Sequence, residues 1–138
     1  MKVLIDLNVV LDFLQKRAPF FDDAASVMDM VLFGRVAGVL PAHAVTTIHY
    51  FLSRGSSKRQ SNEVMRWILD TFEIAACGRG LLVDALSLPM PDYEDAVTAL
   101  AAEQCGCSRV VTRNLRDFDG SPVPAMLPAD FLRLIERG

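Results

Sequence analysis

The sequence predicts an α/β fold, namely a three-layer α/β/α sandwich with a mainly parallel central sheet. Short apolar runs alternate along the chain with longer stretches in which apolar residues recur at helical spacing. The first run, Val3 to Ile5, is continuous rather than alternating, as in strands that are covered on both faces. Strands that alternate with helices in this way typically form parallel sheets.

Glycine and proline mark the ends of most predicted elements. Gly34 and Gly55 each close a helical pattern, and Pro89 breaks another. The predicted strands are Val3–Ile5, Val36–Leu40, Phe72–Ala76, Arg109–Thr112 and Ala125–Leu127. The first predicted helix begins just after Asn8, and the last begins at Pro128 and closes the chain. The five helices between them are predicted to span Asp22–Gly34, His43–Arg54, Ser56–Phe72, Gly80–Leu88 and Asp92–Cys105. A polar loop, Arg113–Gly120, follows the fourth strand.

Length and composition predict a single domain over residues 1–138 that lies in the cytoplasm. The chain is long enough for a full hydrophobic core and contains no linker or repeat. No stretch approaches the ~20 uncharged apolar residues of a membrane span, so we expect no membrane contact. Asp6 and Asp12 interrupt the place where a signal-peptide core would lie. The cysteines lack metal-type spacing, and we interpret them as reduced thiols. They are Cys77, Cys105 and Cys107.

Three acids are predicted to meet at one edge of the sheet. Asp6 follows the first strand, and Asp117 lies in the loop beyond the fourth. Asp95 begins the helix that leads into that fourth strand. Because the carboxyl ends of parallel strands share one edge, where ligands bind in such folds, these acids are placed for chemistry.

Helix capping is the competing interpretation of the acids. Asp6 or Asn8 can simply cap the helix that follows the first strand. Asp92 is the natural N-cap of its helix, and we expect Glu94 to be solvated. Asp95 differs because small side chains follow it, leaving room for a carboxylate directed into a cleft.

Three segments resemble the signature blocks of PIN (PilT N-terminal) domains, in the right order and over essentially the whole chain. They are Val3–Asn8, Tyr93–Ala96 and Val111–Phe118. The resemblance implies a ribonuclease that depends on Mg²⁺ or Mn²⁺. For a small bacterial chain it further implies the toxin of a toxin–antitoxin pair, and hence an RNA substrate and an antitoxin partner. By resemblance, the metal ligands and catalytic acids are Asp6, Asp95 and Asp117. The supporting polar groups are Thr112 and Asn114 in the third block, and Asn8 in the first.

One departure from the family pattern lies in the helix after the second strand. Family members usually carry a further acid there, often Glu, whereas residues 42–50 contain no carboxylate. Thr47, or else Thr46, takes that place. A hydroxyl can hydrogen-bond a metal-bound water, but it supplies no charge. His43 and His49 lie on the same helix, and we interpret them as packed or capping residues rather than catalytic groups.

The candidate substrate contacts are basic residues, and the candidate surface for self-association is formed by apolar helices. Arg113 and Arg116 in the third block are predicted to hold phosphates that flank the cleavage site, as are Lys58 and Arg59. The net charge of −3 argues against nonspecific coating of nucleic acid but allows such a local strip. PIN domains often form dimers, so a homodimer is expected, with the helices Asp22–Gly34 and Ser56–Phe72 as the candidate surface.

Two other functions fit part of the pattern. A degenerate PIN fold that lost its chemistry with the fourth acid would bind only RNA or a partner. A haloacid-dehalogenase-like phosphatase also starts with a strand that ends in Asp, but it expects an Asp-x-Asp pair and a downstream lysine. Asp6-Leu7-Asn8 lacks the second acid, and lysine is scarce, which argues against the phosphatase.

Overall fold

Five strands form one entirely parallel sheet in the computed structural model, which describes residues 1–138. The strands are β1 (Lys2–Ile5), β2 (Ala37–Pro41), β3 (Glu73–Ala75), β4 (Arg109–Val111) and β5 (Ala125–Met126). Their order across the sheet is β3-β2-β1-β4-β5, and every neighbouring pair is parallel. The predicted parallel sheet is confirmed.

Seven helices cover the two faces of the sheet. They are α1 (Leu7–Leu14), α2 (Phe21–Leu32), α3 (Ala42–Gly55), α4 (Lys58–Thr71), α5 (Arg79–Ala85), α6 (Tyr93–Gln104) and α7 (Pro128–Arg137). Val3 and Ile5 point into an apolar cluster with α1, α2, α3, α4 and α7, whereas Leu4 points into a second cluster with α5 and α6. This alternation along β1 produces the predicted α/β/α sandwich.

The strand order reverses between β1 and β4, the two central strands of the sheet. From β1 the chain builds outward through β2 and β3, and it then returns to β4 on the other side. Such a switch point opens a crevice beyond the carboxyl ends of the two strands. The backbone N–H of Asp6 donates to the carbonyl of Val111 at 2.9 Å and joins the two strand ends.

The predicted element boundaries differ from the structure at several ends. Helix α5 stops at Ala85 instead of Leu88, and Pro41 belongs to β2. The predicted polar loop contains a 3₁₀ turn, Leu115–Phe118, which Phe118 anchors in the core. A single turn has no periodic pattern, so sequence periodicity could not reveal it. No helix is long and apolar enough to cross a bilayer.

Candidate active site

Asp6 lies between β1 and α1 and uses its two carboxylate oxygens differently. Oδ1 accepts a hydrogen bond from the backbone N–H of Leu7 at 2.9 Å, which caps α1. Oδ2 accepts one from the Thr112 hydroxyl at 2.8 Å. Asp6 is only 9% exposed. The capping interpretation of Asp6 is therefore confirmed, and the second carboxylate oxygen additionally connects the end of β1 to the residue that follows β4.

Asn8 and Asn114 extend this contact into a network across the switch point. The Asn8 amide nitrogen donates to Asp6 Oδ2 at 3.2 Å and lies 3.5 Å from Thr112 Oγ1. The backbone N–H of Asn114 donates to the same hydroxyl at 3.1 Å. The amide oxygen of Asn8 is buried and has no partner. An unpaired buried acceptor is rare, and the amide oxygen of Asn8 keeps its capacity to accept a hydrogen bond from a group outside the chain.

Asp95 lies in the first turn of α6, where other acids surround it. The Asp92 side chain accepts from the Asp95 backbone N–H at 2.9 Å and is the predicted N-cap. Burial raises the pKa of Asp95 from 3.8 to about 7, and repulsion from Asp92, Asp6, Asp117 and Glu94 adds to the rise. The negative charges of Asp6 and Asp117 therefore contribute to the raised pKa of Asp95, after burial and Asp92.

Asp6 is affected by the same neighbours. Burial raises the pKa of Asp6, and the hydrogen bonds from Thr112 and Leu7 counter this rise. Repulsion from Glu94 and Asp117 raises it further. We call Asp6, Glu94, Asp95 and Asp117 the acid cluster. Glu94 is exposed, as predicted, but its charge still acts on the two more buried acids. Sequence reasoning did not include it in the site.

The acid cluster can be compared with what a metal ion needs. No group of three or more His, Cys, Asp or Glu side chains is arranged to hold one ion directly. The donor chemistry nevertheless fits a hard divalent cation, because the cluster offers carboxylate oxygens and the unpaired Asn8 amide oxygen. Mg²⁺ commonly keeps several of its waters, which can span acids that do not all touch it. Mutual repulsion among the acids would also fall if a cation bound there.

The guanidinium of Arg113 is engaged by a buried acid and an aromatic ring. Its Nε and Nη2 atoms donate to the Asp12 carboxylate at 2.6 and 3.1 Å, and its guanidinium lies 4.2 Å from the centroid of the Phe20 ring. The Asp12 side chain is 2% exposed. Because of this pairing, the Arg113 guanidinium is not freely available to bind a phosphate. Arg116, in contrast, is exposed on the 3₁₀ turn. Asp12 lies on the apolar face of α1, and a charged residue at such a position indicates that an oppositely charged side chain pairs with it.

The helix with the missing acid, α3, begins immediately after β2 at the same sheet edge. Thr47 is half-buried and Thr46 is exposed, so Thr47 is the better match for the inward position. The His43 ring lies 3.7 Å from Cys77 Sγ and 3.4 Å from Thr98 Oγ1. Burial lowers the pKa of His43, against the opposing effect of Glu94, and favours the neutral ring. His43 is thus a packed residue, as the sequence indicated.

The protein has two cavities, and Glu94 is the only member of the acid cluster that lines either of them. One, of about 210 Å³, has Asp12, Phe20 and Arg113 in its wall. The other, of about 250 Å³, lies between His43, Tyr93 and Glu94. The acids differ in exposure, since Asp6 is buried, Asp95 is half-buried and Asp117 is exposed.

Solved structures of low sequence identity share this fold. VapBC2 from Rickettsia felis, bound to a DNA fragment from its promoter, superposes with a TM-score of 0.67 at 14% identity over 92% of this chain and 98% of the other. FitAcB from Neisseria gonorrhoeae gives 0.68 at 18% identity over 92% and 98%. VapC20 from Mycobacterium tuberculosis, a toxin that cleaves the sarcin-ricin loop, gives 0.60 at 10% identity over 78% and 86%. No curated protein matches in sequence.

A family model supplies the assignment that these distant structures do not. The model described as a PIN domain matches residues 2–116. The match includes Asp6 and Asp95 together with Thr112 and Asn114, and it ends one residue before Asp117. It covers far more than half of the sequence, and the observed α/β/α fold agrees with it. The chain belongs to the PIN domain family.

Proposed function

We propose that this chain is a metal-dependent endoribonuclease that hydrolyses phosphodiester bonds in RNA. The observation that carries the proposal is the acid cluster at the switch point of a PIN fold, where Asp95 has a pKa raised to about 7. Perturbed carboxylates gathered in the crevice of a parallel sheet are typical of functional sites.

Each residue has a defined part in this proposal. Asp6, Asp95 and Asp117 would hold Mg²⁺ or Mn²⁺, and such an ion, when bound, polarises the scissile phosphate and lowers the pKa of a coordinated water. Thr112 fixes the orientation of the Asp6 carboxylate through its 2.8 Å hydrogen bond. Asn8 keeps an amide oxygen available for a donor in the site.

Metal binding is tested by titrating the protein with Mn²⁺ in a calorimeter. Asp95→Ala and Asp117→Ala should each weaken binding, because each removes a negative charge from the site. Asp70→Ala, which removes an exposed acid from α4, is the matched control and should leave the affinity unchanged. Equal affinities for all four proteins would refute the metal assignment.

Arg116 is proposed to contact RNA phosphate, since the guanidinium of Arg113 is engaged by Asp12. An acidic chain must hold its anionic substrate through such local contacts. Arg116→Ala should weaken binding of single-stranded RNA and reduce the slope of log affinity against log salt by about 0.7. Arg66→Ala, on the exposed side of α4, is the control. An unchanged slope would exclude Arg116 from the contact.

We also propose that the chain is the toxin of a toxin–antitoxin pair and forms a homodimer. Structures with the same fold include a toxin–antitoxin complex from Klebsiella pneumoniae, at a TM-score of 0.67 and 18% identity. Expression of the chain alone should therefore slow growth, and co-expression of an antitoxin encoded beside it should restore growth. Light scattering on the purified chain tests the homodimer.

A binding module without chemistry is the second candidate function. It is favoured by Thr47 in the place of an acid and by the lack of a ready three-acid ligand set. The two candidates differ in one result, because only the nuclease cleaves RNA when Mn²⁺ is supplied.

A further inference from the structure

The cavity of about 210 Å³ beside the acid cluster has no part in the proposed cleavage. It lies where the end of α1, the start of α2, the loop after β4 and the start of α7 meet. We call it the Phe20 cavity. The lining side chains that matter for its chemistry are Asp12, Phe20, Asp23, Arg113, Leu127 and Pro128. Its volume is below the roughly 300–1,000 Å³ of pockets for drug-sized ligands, so it suits a single small ring system.

The walls of the Phe20 cavity favour a flat, uncharged group. The Phe20 ring is 42% exposed, although it stacks against the Arg113 guanidinium. Leu127 and Pro128 provide further apolar surface. Aromatic rings and guanidinium planes are the groups on which proteins stack unpaired nucleobases.

The charges in the cavity argue against a phosphate as its ligand. The positive charge of Arg113 is balanced by Asp12, which accepts two hydrogen bonds from it. The remaining charged side chain is that of Asp23, which is negative. A carboxylate accepts hydrogen bonds from the amino groups of cytosine, adenine and guanine, whereas uracil has no amino group.

One residue of the Phe20 cavity is adjacent in sequence to residues that contact the acid cluster. Arg113, in the cavity wall, directly follows Thr112, whose hydroxyl donates to Asp6 at 2.8 Å. It directly precedes Asn114, whose backbone N–H donates to that same hydroxyl. Residues 112–114 therefore connect the cavity wall to the acid cluster, so an RNA strand that reached the acids would pass this segment.

We propose that the Phe20 cavity binds one nucleobase of single-stranded RNA and favours a base that carries an amino group. This inference rests on the proposed function only in taking RNA as the ligand. A base held at a fixed distance from the acids would set where in a sequence the RNA is cut. Stacking on Phe20 supplies affinity, and Asp23 supplies the preference among bases.

The test measures binding by fluorescence anisotropy, using the full chain with Asp6→Asn to prevent cleavage. The probe is a short labelled single-stranded RNA, together with versions that carry one abasic position each. One abasic position should weaken binding about tenfold, within the range for a single stacked base. Phe20→Ala should weaken binding of the intact RNA by a similar factor and have little further effect on that abasic RNA.

Further variants separate stacking from general damage to the fold. Phe20→Trp should keep the affinity, and Phe33→Ala, which removes another exposed aromatic ring, should not change it. Asp23→Asn should reduce the preference for cytosine over uracil at the sensitive position. The abasic series needs no cavity variant, so it remains informative even if Phe20→Ala folds poorly.

Several results would overturn the proposal. Equal effects of Phe20→Ala on intact and abasic RNA would show that no base stacks there, and absence of RNA binding would remove the ligand altogether. Loss of antitoxin binding with unchanged RNA binding would make the cavity a protein-binding site instead. If the unmutated chain and Phe20→Ala cleave RNA equally well, the proposed base-binding role of the cavity is refuted while the nuclease proposal stands. If the unmutated chain binds RNA with base specificity but does not cleave it, the nuclease proposal is refuted while the base-binding proposal stands.

Discussion

The buried ion pair between Asp12 and Arg113 is expected to contribute strongly to stability. Asp12→Ala removes a carboxylate that is 2% exposed and leaves the Arg113 guanidinium without its partner. Removing one member of a buried pair typically costs about 3–5 kcal/mol, because the other charge stays desolvated. Since the Arg113 side chain is 25% exposed and can turn partly toward water, we expect about 3 kcal/mol.

The free energy of unfolding can be measured by urea denaturation at pH 7. Trp67 is the only tryptophan and packs against Phe13 of α1, so its fluorescence reports on this region. Glu63→Ala is the matched control, because it breaks an exposed ion pair with Arg59 and should cost less than about 1 kcal/mol.

A double variant tests the reason for this loss. Removing Arg113 together with Asp12 should recover part of the stability, since only Arg17, which lies 3.8 Å from Asp12 and is 35% exposed, then loses its partner. The reasoning would be refuted if Asp12→Ala lost no more stability than Glu63→Ala. It would also be refuted if the losses of Asp12→Ala and Arg113→Ala simply added.

Three further results are expected. Because the pKa of Asp95 is raised from 3.8 to about 7, the folded state holds this proton more tightly than the unfolded chain. The metal-free protein should therefore lose thermal stability as the pH rises from about 4 to 7, and Asp95→Asn should flatten this dependence; an identical pH profile would contradict the shift. Thr47→Glu should tighten Mn²⁺ binding in calorimetry, and an unchanged affinity would mean that Thr47 is not the position of the missing acid. Gly38→Ala should lower the urea midpoint, since its methyl group would lie 2.8 Å from Phe72; a wild-type midpoint would show that the ring moves freely.

Most of the fold was accessible from the sequence because local rules determined it. The continuous run Val3–Ile5 indicated a strand buried on both faces, and the structure places that strand in the middle of the sheet. Ser57 and Gln60 form a capping box at the start of α4, where the sequence predicted a helix from Ser56. Periodicity and capping are properties of neighbouring residues, so one sequence is enough to reveal them.

The site was only partly accessible, because its contacts join distant parts of the chain. Asp12 and Arg113 are 101 residues apart, and nothing near Arg113 indicates that a buried acid engages it. The shared hydrogen bonds of Asp6, Asn8 and Thr112 likewise depend on β1 and β4 being neighbours. The sequence predicted which strand ends would meet, whereas the pairing of individual side chains required the three-dimensional structure.

The measurement that tests the central claim most directly is cleavage of single-stranded RNA by the purified chain. Mn²⁺ should support cleavage, EDTA should stop it, and Asp6→Asn should abolish it while RNA binding largely survives. Asp70→Asn, an exposed acid far along α4, should cleave like the unmutated chain. Cleavage that persists in EDTA or in Asp6→Asn would contradict the account, as would the absence of cleavage of any RNA by the unmutated protein with Mn²⁺.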